Sequence, residues 1–251
     1  MNLDVETKRK LREMGCDRLV DAFCAQDDDL LAAVACAERV RLAVDDAYGM
    51  FLDDRVGGLV RRARLRYPNA DLRSIEMVEE RGLNRDVINQ LSTCAWIGRH
   101  RNVVFQGYAG SGKTWLANAV ARQACRNRIR TRYIRVPDLE EEWLVAGDKP
   151  QGRTKVLKRY ASYALLVLDE WLFDRPNDQF RGFLFELMER RYDTCSTVFC
   201  TQYQQKDWHE RLGGGPHADA IMDRIVHNTI WVGTGDYNMR RHHYHDNDDK
   251  E

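Results

Sequence analysis

The stretch Gly107-Tyr108-Ala109-Gly110-Ser111-Gly112-Lys113-Thr114 has the spacing G-x-x-x-x-G-K-[ST] of a phosphate-binding loop. Glycines at those positions let backbone N–H groups close around a polyphosphate, and the N-terminus of a following helix adds partial positive charge. Lys113 then reaches the β- and γ-phosphates, and the Thr114 hydroxyl holds Mg²⁺. A second chemical element is Asp169-Glu170, which ends the apolar run Tyr163-Ala164-Leu165-Leu166-Val167-Leu168. In a chain with a phosphate loop, the first acid holds Mg²⁺ and the second polarises the water that attacks the γ-phosphate. Standing alone, such a run is equally a strand entering a solvated turn; the pairing with the loop gives it meaning. A third element is the polar end, Thr201-Gln202, of the apolar run Ser196-Thr197-Val198-Phe199-Cys200. A polar side chain there can orient the attacking water, and either Thr201 or Gln202 can serve.

These groups need strands and helices to hold them. Asn102 to Gln106 reads as a short buried strand ahead of the loop, and Trp115 to Ala121 as the helix after it. Thr131 to Val136 alternates as a second strand, followed by a helix from Pro137 to Val145, a loop over 147–152, and a helix carrying Val156, Leu157 and Tyr160. Phe180, Phe183, Leu184, Leu187 and Met188 form a helical stripe that belongs to the core. A helix over Ala218–Asn228 precedes a last strand, Thr229–Val232. Upstream, residues 1 to 67 read as all-helical: one helix from Lys8 to Ala25, and another begun by Asp27-Asp28-Asp29 and running to about Leu52. Gly57-Gly58 weakens that pattern, and Pro68-Asn69 ends it. A connector with a helix from Asn84 to Thr93 leads to the phosphate loop. The expected organisation is a helical domain at 1–67 for DNA or partner contact, an ATPase domain at 68–241 and a polar tail at 242–251.

The chain has 251 residues, 43% hydrophobic and 31% charged, with zero formal net charge. That is a soluble globular composition and argues against a simple polybasic nucleic-acid binder. The charge is uneven, however. Six arginines and no acid fall between Arg122 and Arg135, and Arg61-Arg62-Ala63-Arg64-Leu65-Arg66 is a second basic cluster. No apolar run approaches the ~20 residues of a membrane span, and the first residues show no signal pattern. The seven cysteines are scattered and lack C-x-x-C spacing, which predicts buried thiols in a reducing cytoplasm. His242, His243 and His245 in the polar tail are read as solvated rather than as metal ligands.

The sequence GYAGSGKTWLANA, then LLVLDE, ERRYDTCSTVFCTQY, KDWHERLGGGPHADAIMDRIVHN and GDYNMRR, resembles the IstB-like transposition helper ATPases. These are AAA+ proteins related to the helicase loader DnaC. RGLNRDVINQLSTCAWI and RRARLR extend the likeness upstream, so it covers nearly the whole chain. The resemblance implies a parallel α/β sheet of order 5-1-4-3-2 flanked by helices, behind a small helical domain. It also implies ATP and Mg²⁺ as cofactors, and ATPase activity that depends on assembly as a ring or helical filament on double-stranded DNA. The partner implied is a transposase, recruited and regulated at the target site; the alternative is a replicative helicase loader. By the same resemblance, Gly107 to Trp115 carry the nucleotide, Thr114 and Asp169 the metal, and Lys113, Asp169, Glu170, Thr201 and Gln202 the catalysis. Arg224 falls where a finger is supplied to the neighbouring subunit, and Arg240 at the second sensor, with Arg241 as a substitute. Arg61, Arg62, Arg64, Arg126, Arg128, Arg130, Arg132 and Lys155 are the expected DNA contacts. Two places depart from the family pattern: Cys200-Thr201-Gln202 replaces Thr-Ser-Gln or Thr-Ser-Asn, and Asp236-Tyr237-Asn238 precedes Met239-Arg240.

Overall fold

Five short apolar runs pair into one parallel sheet: β1 (Asn102–Gln106), β2 (Thr131–Arg135), β3 (Leu165–Asp169), β4 (Ser196–Thr201) and β5 (Thr229–Gly233). Their order is β2-β3-β4-β1-β5, the expected 5-1-4-3-2 read from the other edge. The computed structural model describes residues 3–77, 82–235 and 237–239. β3 and β4 are buried along their whole length, as parallel strands covered on both faces must be.

Because side chains alternate across a strand, the sheet divides its residues between two cores. Val103, Phe105, Leu165, Val167, Val198 and Cys200 join one cluster, with α4 (Arg85–Ser92), α5 (Ala95–Gly98) and α6 (Lys113–Arg126) supplying Leu91, Trp96, Leu116 and Val120. Val104, Leu166, Leu168 and Phe199 join the other. There α7 (Val136–Ala146), α8 (Gly152–Ala161), α9 (Asp178–Arg191), α10 (Gln205–Arg211) and α11 (Gly215–Val226) add Trp143, Tyr160, Phe180, Trp208 and Ile221. The expected strands and helices of this part are found to within a few residues, and α5 and α10 are additions.

The chain divides into two compact units, Met1–Gly58 and Leu59–Glu251. The first holds α1 (Val5–Glu13), α2 (Asp17–Ala25) and most of α3 (Cys36–Ala63). The single helix expected from Lys8 to Ala25 is two. Gly15, at φ +74°, donates to the Arg12 carbonyl while the Cys16 N–H donates to that of Leu11, the paired bonds that close a helix at a left-handed glycine. The second helix also begins later than expected. Asp27 Oδ1 accepts the N–H groups of Asp29 and Leu30, which caps a short run of turns, and α3 starts only at Cys36. It then runs through Gly57-Gly58 and stops at Arg64, φ +52°. The division after Gly58 precedes the expected boundary at 67 because residues beyond it serve the second unit. Leu65 packs on the first core cluster, and Arg132 reaches the Arg62 carbonyl.

The core of the first unit is small, centred on Ala22, Phe23 and Ala43. That corrects the expectation for the thiols: Cys94, Cys125 and Cys200 are buried, but Cys24 and Cys36, on this small unit, are exposed. Burial pushes the Cys125 thiol up to about 11.

Candidate nucleotide site

The phosphate loop leaves β1 at the carboxyl edge of the sheet, where ligands of parallel sheets bind. Gly110 and Gly112 both sit at φ +86°, a conformation that favours glycine, and Gly112 caps α6. Gly107 is needed for a different reason. A Cβ there would lie 2.2 Å from Thr234 Oγ1 and 2.9 Å from the Gly235 carbonyl. The segment after β5 is thus laid directly against the loop. Buried Ser111 shares a 2.6 Å hydrogen bond with Thr234, and the Met239 N–H donates to the Gly110 carbonyl. Lys113 donates to the carbonyls of Gly107 and Tyr108, each at 2.7 Å. Tyr108 and Ala109 are exposed, and Trp115 is half-buried against the first core cluster.

Asp169, 2% exposed, ends β3 beside this loop. Its Oδ1 accepts from the Thr114 hydroxyl at 3.2 Å and from the Glu170 N–H at 3.0 Å; its Oδ2 accepts from Tyr133 at 2.7 Å. Burial, then the charge of Asp169, push the Tyr133 phenol well above its usual range, so it remains a donor. Glu170 takes φ +59°, and its Oε2 accepts from Arg135 at 2.8 Å. The Thr201 hydroxyl accepts the Tyr203 N–H at 3.1 Å, while Gln202 is exposed. Lys113, Thr114, Asp169, Glu170, Thr201 and Gln202 line one cavity of about 530 Å³. Gly110, Gly112, Ala109 and Trp115 line it too; Gly107, Tyr108 and Ser111 build the loop behind them.

Arg224 lies elsewhere. On α11 it pairs with Glu189, donates to the Ala220 carbonyl at 2.9 Å, and stands 5.1 Å from the Phe185 ring centre. It borders a separate small hollow with Arg191 and Asn228. Arg240, Arg241, Asp236 and the three tail histidines lie outside the described residues. Among the described residues no cluster of His, Cys, Asp and Glu could hold a metal. Of the expected DNA contacts, Arg61, Arg62, Arg64, Arg128, Arg130 and Lys155 are exposed. Arg126 is bound to Asp71 at 2.7 Å, Arg132 to the Arg62 carbonyl, and Arg130 stands 4.6 Å from the Tyr163 ring centre. Their positive charge is thus partly used within the fold.

The sequence did not single out Tyr133, Arg135 or Arg66. The expected strand order held the clue to the first two, because it places β2 beside β3, and the register aligns Arg135 with Asp169. Arg66, last of its basic cluster, lines the cavity beside Tyr67. Burial opposes its charge, but Tyr67, Tyr133 and Asp169 outweigh that and raise its pKa.

The family described as "IstB-like ATP binding protein" matches residues 9–247. The insertion sequence ATP-binding protein y4pL of Sinorhizobium fredii is 33% identical over 241 residues, covering 94% of this chain and 96% of the relative. Among solved structures, AMPPCP-bound DnaA from Aquifex aeolicus superposes with a TM-score of 0.57 at 18% identity, over 73% of this chain and 56% of that one. The DnaC helicase loader superposes with a TM-score of 0.55 at 21% identity, over 67% of this chain and 98% of that one. These two likenesses concern the fold. No described helix is long and apolar enough to cross a membrane.

Proposed function

The chain belongs to the IstB-like ATP-binding family, and from that premise we propose that it hydrolyses ATP as the helper of a DNA-transposition system. In this reading it assembles with ATP on double-stranded DNA and recruits a partner transposase. The observation that carries the hydrolytic part is the convergence of Lys113, Thr114, Asp169, Glu170 and Gln202 on one cavity.

Thr114 Oγ1 and Asp169 Oδ1, 3.2 Å apart, are hard oxygen donors of the kind Mg²⁺ takes. When bound, the ion neutralises charge on the β- and γ-phosphates. Lys113 and the N-terminus of α6 hold the same phosphates. Glu170 is the base toward the attacking water, with Arg135 fixing one of its oxygens. Thr201 is 1% exposed and accepts the Tyr203 N–H, whereas Gln202 is exposed, which favours Gln202 as the residue that orients the water. Arg224, remote from its own cavity, suits action on the site of a neighbouring subunit, where such an arginine is worth roughly 10³–10⁵ in rate. Exposed Arg61, Arg62, Arg64, Arg128 and Lys155 suit phosphate contacts that give affinity without sequence information.

The insertion-sequence relatives favour the helper over a helicase loader, whose fold it shares. The test is ATP turnover of wild type and Glu170→Gln with and without duplex DNA, paired with electron microscopy of the nucleotide-bound protein. Wild type should hydrolyse ATP with DNA, and the variant should assemble without turnover. Turnover no higher in wild type than in the variant would leave an ATP-driven switch. A pull-down that retains a replicative helicase and no transposase would favour the loader.

A further inference from the structure

We propose that Arg211, at the end of α10, is a positioning residue that ties together the two turns presenting Glu170 and Gln202 to the cavity; this rests on the ATPase reading above. The turn after β3 is strained. Glu170 and Leu172 take φ +59° and +58° without being glycine, and such conformations persist only where the surroundings over-determine them. The turn is closed by the Phe173 N–H donating to the Glu170 carbonyl at 3.0 Å. Its inner side is fixed to the neighbouring strand, since the Trp171 N–H donates to the Cys200 carbonyl at 2.8 Å.

The carbonyls of Leu172 and Phe173 are met by one side chain. Arg211 Nε donates to the first at 2.6 Å and Nη2 to the second at 2.5 Å. The guanidinium also lies 3.6 Å from the ring centre of Tyr203, in the turn after β4. Tyr203 is itself fixed: its N–H donates to Thr201 Oγ1 and its carbonyl accepts from Trp208 Nε1 at 3.3 Å. Glu170 and Phe173 from one turn, and Gln202 and Tyr203 from the other, line the nucleotide cavity, whereas Arg211 does not. It therefore acts through them, setting the spacing between the base and the water-orienting amide. Only a planar fork can meet two carbonyls while its face rests on a ring; a lysine ammonium cannot.

The experiment compares wild type, Arg211→Lys and Arg211→Ala in DNA-stimulated ATP turnover, affinity for an ATP analogue, thermal unfolding, and amide hydrogen exchange over residues 170–174 and 201–204. Misplacement of a catalytic group by about 1 Å lowers rate about 100-fold. Arg211→Ala should therefore lower kcat by roughly that factor, with Arg211→Lys between it and wild type. Nucleotide affinity should be unchanged, and exchange should rise in both turns together. Unchanged kcat, faster exchange in only one turn, or a parallel loss of affinity and unfolding midpoint in both variants would overturn the proposal. If wild type itself shows no turnover, the ATPase reading fails, and coupled exchange in the two turns still judges the staple.

Discussion

Tyr133→Phe removes one hydroxyl and leaves the ring, so it isolates the single bond to Asp169 Oδ2. Asp169 is 2% exposed, and its other oxygen keeps the Thr114 and Glu170 donors at 3.2 and 3.0 Å. A hydrogen bond to a charged group is worth about 1.5–3 kcal/mol, or roughly one to two powers of ten in an equilibrium constant. Partners that orient a metal-ligating carboxylate typically contribute 10–100-fold in metal affinity. The half-saturating Mg²⁺ concentration for ATP turnover should accordingly rise about 10–100-fold. At saturating Mg²⁺, turnover should recover most of its wild-type value. The phenyl ring still fills a site that is 7% exposed, so no cavity adds to the loss of that one bond, and the unfolding midpoint should fall by no more than the bond is worth. The assay is a Mg²⁺ titration of turnover and of nucleotide binding, repeated with Mn²⁺, beside a thermal melt. An unchanged metal dependence with a lowered melting temperature would show that Tyr133 only packs, and would refute the argument.

Asp71 is held well below the usual carboxylate range, first by Arg73 and then by Arg126. Its contribution is therefore full above the unfolded value of about 3.9 and disappears as pH falls below it; Asp71→Asn should be about 2 kcal/mol less stable at pH 7, a gap that chemical denaturation should find closing below about pH 4. Gly107→Ala places a methyl group against Thr234 and the Gly235 carbonyl, an overpacking worth about 1–3 kcal/mol, so a melt should show the loss and isothermal titration a parallel fall in nucleotide affinity. Arg224→Ala loses a half-exposed ion pair worth about 1 kcal/mol or less, so subunit stability and ATP binding should hold while DNA-stimulated turnover falls at least 10³-fold. Mixing that variant with Lys113→Ala subunits should restore some activity; no recovery would count against action between subunits.

The parts of the fold legible in the sequence were those with one strong signal. β1, β3 and β4 are apolar runs buried on both faces through their centres, β5 is a short apolar run at the sheet edge buried at alternate positions, and the phosphate loop needs its glycines in a fixed spacing. The break at Gly15 was hidden because Leu11, Met14, Leu19 and Val20 stay near helical spacing across it. The opposite error came at Gly57-Gly58, where a glycine pair marked a weak point and α3 continued. Each glycine costs only about 1 kcal/mol against alanine, less than the cooperative helix around it supplies. Tyr133 and Arg135 were missed for a different reason. Alternation along β2 says which face is buried, but not that the phenol at its centre and the guanidinium at its end meet Asp169 and Glu170 at the end of β3.

The arginines show where sequence reading stops. Arg66 is one of several arginines in a basic cluster that charge alone gave to solvent or DNA, and Arg224 stands alone in its helix, its role coming only from the family resemblance. The fold separates them. Arg66 follows α3 in the chain and lines the nucleotide cavity of its own subunit, with Asp169 among the charges that act on it. Arg224 is held on α11 by Glu189 and the Ala220 carbonyl, at a different hollow. A cation inside the cavity lends affinity for a polyphosphate in a single subunit. A cation displaced from it, yet already ordered by two partners, loses little side-chain freedom if a second subunit brings a phosphate to it. In the proposed assembly, Arg66 would thus serve binding within one chain, while Arg224 would make hydrolysis depend on a neighbour.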